Sequence, residues 1–346
     1  FAWAGKNWSN AVQVEHKATR ESAGIFDESS FAKLEISGAR AGEFLEFVCA
    51  NDVVRGVGRA VYTQALNNKG GIEADFTVTQ TAEDKFLIVT GTAFAHHDAG
   101  WLKKLRRENG FSEVLIEDIT DKLAIFGIWG PKSREILQLL TSADLSNEAF
   151  PFMHSKEIEI QGIRVRATRI TYVGELGWEL YIPVSDALDI WQTLFNAGGF
   201  PCGYRTIESL RLEKGYLAWG GEINTENNPY EAGLSFAISK KKSHFYGASA
   251  LQSLKNTKRK LVAITFDDIR QVPIGSEPIK FGEKVIGRIK SGGQGYSINK
   301  AIGYAYIPIE HAESGTELDV EFFGKWVSGV VSATPLYDPT GSKIKS

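Results

Sequence analysis

The sequence predicts an α+β protein that ends in a separate β-rich domain. Up to about residue 255, segments with helical periodicity alternate with short β-patterned segments. After residues 255–260, short strands follow one another with turn residues between them, which is typical of a small barrel or sandwich. We therefore divide the chain into two domains, residues 1–256 and residues 257–346. The strands predicted in the second domain are residues 261–266, 284–289, 301–307, 317–323 and 327–333.

The elements of the first domain follow from periodicity and from helix and turn signals. A loop at residues 8–10 and a helix at residues 12–22 come first. β-alternation over residues 58–90, with a turn at residues 67–71, predicts a hairpin. The other predicted elements are a strand at 32–36, a helix with Phe44, Leu45 and Val48 on one face, a helix at 95–109, a strand at 123–129, a helix starting at Gly130-Pro131, strands at 163–171 and 178–182, a helix capped by Ser185 and Gly198, and a helix through 209–213.

Size and composition are those of an ordinary globular protein. The chain has 346 residues, of which 43% are hydrophobic and 23% charged, and its net charge is −3. This charge argues against nucleic acid or an anionic membrane as a partner, and no apolar run approaches the ~18 residues of a membrane helix. Cys49 and Cys202 are far apart, which favours a reducing compartment: the cytoplasm or, in a eukaryote, the mitochondrial matrix. Because residue 1 is phenylalanine, we expect a piece of a longer protein.

The most informative motif is Tyr172-Val-Gly-Glu-Leu-Gly-Trp-Glu179, at a predicted strand–turn–strand junction. Its two glycines suit a tight turn, and Glu175 lies in that turn. Glu179 lies inside an otherwise apolar strand, where a carboxylate needs a partner. That partner is either a ligand or a cationic side chain such as Arg169 or Arg211.

Other motifs have simpler interpretations. The glycine clusters at residues 56–58 and 292–295 complete no phosphate-binding pattern and are interpreted as turns. His96-His97 lacks metal-ligand spacing, so we place it on a helix surface. The basic run at residues 240–242 is either a solvated turn or a group that steers an anionic ligand tail. The sequence contains no GxSxG, HExxH or CxxC motif.

Several motifs together resemble the aminomethyltransferase family, that of the T-protein of the glycine cleavage system. They extend from about residue 10 to about residue 340, nearly the whole chain. They are residues 70–75, 130–131, 172–179, 209–215, 219–220, 229–234 and 245–251. One branch is resembled more closely, the C-terminal folate half of flavin-dependent dimethylglycine and sarcosine dehydrogenases and oxidases. The residues that carry this second resemblance are the Tyr-x-Gly-Glu-Leu-Gly-Trp-Glu form at residues 172–179, Phe1, Asn7-Trp8, Asp144-Leu-Ser146 and Pro335-Leu-Tyr-Asp-Pro.

The resemblance implies a three-lobed ring, in which two interleaved α+β subdomains and a C-terminal β-barrel surround a central folate cavity. It implies tetrahydrofolate as cofactor and an N-methyl amine as substrate. FAD is expected only in a missing N-terminal half or a partner subunit, because this chain lacks an FAD fingerprint. The implied function in one-carbon metabolism is capture of a methylene unit from an oxidised N-methyl amine, which gives 5,10-methylenetetrahydrofolate.

The resemblance also implies roles for individual residues. Glu179 matches the carboxylate that accepts two hydrogen bonds from the pterin. Tyr172 packs or hydrogen-bonds beside the pterin, or else is a core aromatic with a satisfied hydroxyl. Asp75 matches the catalytic aspartate, an electrostatic and acid–base group, the alternative being a local turn bond. The remaining candidate folate-binding residues are Tyr62, Phe236, Val89 and Tyr337.

One departure from the family pattern concerns the folate tail. The T-protein has an arginine two residues before the serine of its Ser-Leu-Arg-Leu-Glu motif, and this chain has Ile207 there. The flavoprotein branch also lacks this arginine. The tail partner therefore stays open, with residues 240–242 and Arg205 as weak candidates. Arg211 and Glu213 are expected to form structural ion pairs.

Three other functions remain as alternatives. One is direct methyl transfer from a sulfonium or an aryl ether, as in related demethylases, which requires a second pocket for the methyl donor. Another is a folate-binding module without catalysis. A glycine-cleavage T-protein proper is disfavoured by Ile207.

Overall fold

The computed structural model describes the backbone of residues 7–346 and the side chains from residue 10 onward, so Phe1 lies outside the described residues. In chain order the α-helices of this part are α1 (Asn7–Glu21), α2 (Ala41–Val48), α3 (Ala95–Glu108), α4 (Ser133–Gln138), α5 (Ala187–Asn196), α6 (Tyr204–Lys214) and α7 (Ala248–Ser253). The strands are β1 (Gly24–Asp27), β2 (Ala32–Ser37), β3 (Ala60–Leu66), β4 (Ile72–Ala82), β5 (Lys85–Thr90), β6 (Leu115–Asp118), β7 (Leu123–Trp129), β8 (Ser155–Ile160), β9 (Ile163–Thr168), β10 (Gly177–Pro183), β11 (Phe200–Cys202), β12 (Arg259–Phe266), β13 (Pro278–Phe281), β14 (Lys284–Gly295), β15 (Lys300–Pro308), β16 (Glu317–Phe322) and β17 (Lys325–Ser332). Across residues 7–346, every helix is too short or too polar to cross a lipid bilayer.

Two sheets interleave along the chain. The five-stranded sheet has the order β3-β4-β5-β2-β6, and the six-stranded sheet has the order β11-β1-β7-β10-β9-β8. Along the chain, β1 comes first and all five strands of the five-stranded sheet follow it. The next strand, β7, then pairs with β1 in the six-stranded sheet. The predicted pair of interleaved α+β subdomains is thereby confirmed.

Each sheet has one face covered mainly by helices, and on the six-stranded sheet α6 also packs on one end of the other face, where Phe26 and Trp129 contact Leu210. On the five-stranded sheet, Phe44 of α2 and Leu102 of α3 pack with Phe76 of β4 in one buried cluster. On the six-stranded sheet, Ile190 of α5 packs with Trp178 of β10 in a second cluster. Because side chains alternate across a strand, the residues between these core positions project to the opposite face of each sheet.

Strands β12 to β17 form a closed barrel in the order β12-β15-β14-β13-β16-β17, which confirms the predicted β-rich second domain. All five predicted strands are present. The sequence analysis missed β13, which has four residues and begins with a proline. This strand closes the barrel by pairing with both β14 and β16.

Several element boundaries differ from the prediction. The helix α1 already begins at Asn7, so the loop predicted at residues 8–10 is wrong. The helix α4 starts at Ser133 rather than at Pro131, because Gly130, with φ +140°, bends the chain and donates its N–H to the Leu176 carbonyl. Ser185 does not cap α5, since its hydroxyl bonds to Asp186 within a short 3₁₀ turn. Gly198 follows α5 with φ +107°, as predicted.

Candidate functional site

The face of the five-stranded sheet opposite helices α2 and α3, called its uncovered face below, carries polar and aromatic side chains in register. Tyr62 of β3 pairs with Thr77 of β4, and Thr77 pairs with Val89 of β5, so these three form one row across the sheet. Gln64 and Asp75 are paired in a parallel row. All five positions alternate with the core residues of their strands, and the face therefore presents a ready surface for a ligand.

Asp75 is held from the neighbouring strand. The Gln64 amide donates to its carboxylate at 3.2 Å, across β3 and β4, so its bond is not the local turn bond that was the alternative. Burial raises the pKa of Asp75 to about 6, although hydrogen bonds from Tyr62 and Gln64 act in the opposite direction. A carboxyl group with a pKa near 6 is divided between its two protonation states near neutral pH, which suits proton transfer.

Aromatic rings surround this aspartate. Tyr62 stacks on Phe236 with ring centroids 6.0 Å apart, and 70% of the Phe236 side chain is exposed. Tyr172 donates its hydroxyl to the Leu217 carbonyl at 2.9 Å, and its ring stacks on Tyr216 at 6.2 Å. The Tyr172 hydroxyl is thus satisfied within the protein. Asp75 and Tyr172 both act on the pKa of Tyr62, which places the three side chains together.

Glu179 projects from the uncovered face of the six-stranded sheet. It is 9% exposed and accepts a hydrogen bond of 2.5 Å from the Tyr181 hydroxyl. The alternative of an ion pair is wrong, because Arg211 pairs with Glu208 and Glu222, and Arg169 donates to the Phe150 carbonyl. Burial raises the pKa of Glu179 to about 7, against the effect of the Tyr181 hydrogen bond. A buried carboxylate whose negative charge is offset by so few hydrogen bonds can accept further hydrogen bonds from the donors of a ligand.

The surroundings of the two carboxylates meet between the sheets. Val89, in the row of Tyr62, packs in a cluster that also contains Tyr181, the partner of Glu179. This cluster therefore joins the face of the five-stranded sheet that carries Asp75 to the face of the six-stranded sheet that carries Glu179.

Glu175 and Tyr337 belong to a different network. Arg20 of α1 bonds to Glu175 at 2.9 Å and to Glu213 at 3.1 Å, with all three side chains buried. The guanidinium lies 3.8 Å from the Tyr337 ring centroid, and Tyr337 also bonds to Glu175. Glu175 is therefore structural, as expected, and Arg211 and Glu213 both form the expected ion pairs. The role of Tyr337 in binding stays a prediction.

The candidates for the folate tail differ in how far they are engaged. Lys242 donates to the carbonyls of Cys49 and Asn51 and pairs with Glu46, so its ammonium group is already bound by partners within the protein. Residues 240 and 241 and Arg205 are exposed. The tail partner stays open.

Sequence analysis missed two groups near the site. His97, on the predicted exposed helix surface, bonds to Asp98 at 2.9 Å and to Glu73 at 3.1 Å, two residues before Asp75. Glu28, 2% exposed, follows β1 directly. A charged residue at the end of an apolar strand was the available signal for Glu28, but the sequence alone did not indicate which strand lay opposite.

Comparison with known proteins agrees with this architecture. The family model of the GCVT N-terminal domain matches residues 1–242, and that of the glycine cleavage T-protein C-terminal barrel domain matches residues 259–338. The chain is 37% identical to the mitochondrial dimethylglycine dehydrogenase of Rattus norvegicus over 98% of its own length, but it spans only about two fifths (40%) of that protein. It is 32% identical to an aminomethyltransferase of Symbiobacterium thermophilum, covering 95% of this chain and 90% of the relative.

A solved structure extends the comparison to three dimensions. The aminomethyltransferase T of the glycine cleavage system from Bartonella henselae superposes with a TM-score of 0.86 at 29% identity, covering 95% of this chain and 90% of that one. This match confirms the predicted fold class, and the aminomethyltransferase and dehydrogenase relatives identify an enzyme. With both family models matched in order along it, the chain belongs to the glycine cleavage T-protein family, the aminomethyltransferases.

Proposed function

We propose that this chain catalyses tetrahydrofolate-dependent one-carbon transfer, taking a methylene unit from an oxidised N-methyl amine and giving 5,10-methylenetetrahydrofolate. The observation that carries the proposal is the pair of carboxyl groups, Asp75 and Glu179, on the facing surfaces of two sheets in a T-protein fold. Each has a raised pKa because the protein around it compensates its charge only partly.

Glu179 is the proposed pterin acceptor. The pterin edge carries an exocyclic amine and a ring N–H side by side, and a carboxylate accepts both at once. The Tyr181 hydroxyl fixes one oxygen of Glu179 at 2.5 Å and leaves further lone pairs for the ligand. The donors of the ligand then add hydrogen bonds to the Glu179 carboxylate, which favours its ionised form.

Asp75 is the proposed acid–base group. Bound tetrahydrofolate supplies the ring nitrogens that take up the one-carbon unit. Ionised Asp75 stabilises positive charge beside those nitrogens, and its pKa of about 6 lets it accept and return a proton at neutral pH. Gln64 fixes the carboxylate, while Tyr62, Tyr172, Phe236 and Val89 are proposed to line the pocket and exclude water.

Amine oxidation is assigned to a flavin elsewhere. Since the chain matches only 40% of the rat dimethylglycine dehydrogenase, we propose an FAD-binding domain or subunit as its partner. We also propose the domain division between residues 256 and 257, which lies just before β12. Cys49 and Cys202 are both free and buried, in keeping with a reducing compartment, the cytoplasm or the mitochondrial matrix.

Calorimetry with tetrahydrofolate tests the site. Glu179→Gln removes the charge that accepts the pterin donors and should weaken binding on the order of 10- to 100-fold. Glu159→Gln, an exposed position on β8 of the same sheet, is the control and should bind like the original protein. Absence of binding by the original protein would refute the function, and unchanged binding by Glu179→Gln would refute the site.

A further inference from the structure

Glu28 is a buried carboxyl group without a partner. Its side chain is 2% exposed, and within the described part of the chain neither of its carboxyl oxygens has a hydrogen-bond partner. Leaving a buried polar group without a hydrogen bond lowers the stability of the protein, and more so if the group is charged. Few buried polar side chains in native proteins lack a hydrogen-bond partner, and each such case needs an explanation. A ligand that makes the missing hydrogen bond is such an explanation.

The sheet register places Glu28 beside Glu179. The Glu28 N–H donates to the Ile125 carbonyl of β7 at 2.8 Å, and on the other side of β7 Tyr181 pairs with the same Ile125. Directly paired residues project to the same face of a sheet. Glu28, Ile125 and Tyr181 therefore form a row on the uncovered face, and Glu179 projects from that face two residues before Tyr181.

Of these two carboxyl groups, Glu28 is the protonated one and Glu179 is the ionised one. Burial raises the pKa of Glu28 well above its usual range, and the charges of Glu179 and Asp27 raise it further. The Tyr181 hydroxyl donates to Glu179 and stabilises its ionised form, whereas Glu28 accepts no such bond. Because burial disfavours a second negative charge beside Glu179, the unassisted Glu28 is the group that retains its proton.

Other groups around Glu28 do not reverse this assignment. Tyr204, at the start of α6, is within electrostatic reach of Glu28 and is neutral. Lys33, the buried cation of β2, the next strand along the chain, donates its ammonium group to the carbonyls of Ser29 and Leu123.

We propose that Glu28 is a second recognition residue of the folate site, which as a neutral carboxylic acid donates a hydrogen bond to an acceptor atom of the bound heterocycle. The inference rests on the proposed function and deepens it. Glu179 accepts from the donors of the ligand while Glu28 donates to an oxygen or ring nitrogen beside them. Together they select a heterocycle whose edge carries both kinds of group, as the amino-oxo ring of a pterin does.

Two substitutions at Glu28 distinguish recognition from a purely structural role. Glu28→Gln keeps a neutral donor, and it should bind 6-methyltetrahydropterin within about threefold of the original affinity. Glu28→Leu removes the donor and should weaken binding about 10-fold. The Leu variant should also unfold at a higher urea concentration, because the unpaired polar group has gone. Glu159→Gln, the exposed position on β8 of the same sheet, is the control and should leave pterin affinity unchanged.

The ligand fragments separate the possible failures. Binding of 4-aminobenzoylglutamate, which has the folate tail without the pterin, should be the same in all four proteins. If Glu28→Leu binds the pterin as tightly as the original protein, or if Glu28→Gln is weakened as much as Glu28→Leu, the donor role is overturned. If the original protein binds neither the pterin nor tetrahydrofolate, the proposed function itself is overturned. Circular dichroism of each variant confirms that the comparison is between folded proteins.

Discussion

Asp75→Asn should stabilise the protein at neutral pH and remove its proton chemistry. Burial holds the pKa of Asp75 at about 6, against a usual value of 3.8. A rise of about two units corresponds to a cost of about 3 kcal/mol for the ionised group, an upper limit because solvent reaches the half-buried side chain. Asparagine has a similar shape, keeps a contact to Gln64 and carries no charge to bury.

The sign of the effect depends on pH. Below about pH 4 the carboxyl group is protonated in both the folded and the unfolded chain, so the substitution gains nothing there. As pH rises, the unfolded chain releases its proton first, and the cost to the original protein grows until the folded Asp75 ionises near pH 6. The variant should therefore gain up to about 3 kcal/mol at pH 8 and almost nothing at pH 4.

Urea unfolding at pH 4 and pH 8 measures this difference. Asp118→Asn is the matched control on the same sheet. Its pKa is lowered, because hydrogen bonds from Thr120 outweigh the effect of burial, so this substitution should destabilise at pH 8. The same variant of Asp75 should bind tetrahydrofolate but lose the formaldehyde-capture rate above the uncatalysed condensation. A loss of stability at pH 8, or an equal change at both pH values, would refute the reasoning.

Three further substitutions probe other parts of the molecule. Phe236→Ala removes an exposed ring that stacks on Tyr62, so calorimetry should show tetrahydrofolate affinity about 3- to 10-fold lower with almost unchanged stability. Gly177→Ala would place a Cβ atom 2.0 Å from the Ile128 carbonyl oxygen; urea unfolding should show a loss of about 3 kcal/mol, because β10 must move. Arg20→Met removes the cation that pairs with two buried glutamates and should cost about 3–5 kcal/mol by the same measurement.

Each of these has a control at a residue of the same or a similar type. Phe323→Ala removes a ring that is 84% exposed in the barrel, and folate affinity should not change. Gly100→Ala adds a Cβ atom with no neighbour within 4 Å on α3, and should stabilise by about 0.5–1 kcal/mol. Lys17→Met breaks an exposed contact with Glu21 at 3.8 Å and should be nearly neutral. If variant and control behaved alike in any pair, the structural reason given for that variant would be wrong.

The sequence predicted those features that depend on neighbours along the chain. Strand alternation separated Glu179 from Glu175, and the glycines at positions 174 and 177 marked the turn, because both signals lie within eight residues. The family resemblance supplied the ring and the residue roles. Short strands such as β13 were missed because four residues with a leading proline carry too little periodicity.

Contacts between distant segments could not be predicted. Arg20 meets Glu175 and Glu213, which are more than 150 residues away, so no local pattern pairs them. Glu28 joins the site only because β7 lies between β1 and β10 in the sheet. Strand order is a property of the whole fold, and it decides which buried charges face each other.

The return of the chain from β1 to β7 has a consequence for how the protein can come apart. The segment from β2 to β6 is inserted between β1 and β7, which are hydrogen-bonded neighbours in the other sheet. The six-stranded sheet therefore cannot form until this insertion has been synthesised and its two ends have come close together. A proteolytic cut between residues 28 and 118 would break the covalent link between β1 and its partner β7 as well as damage the inserted lobe. A folate that bridges Asp75 and Glu179 would close this junction a second time, and it should protect both lobes from unfolding as one cooperative unit.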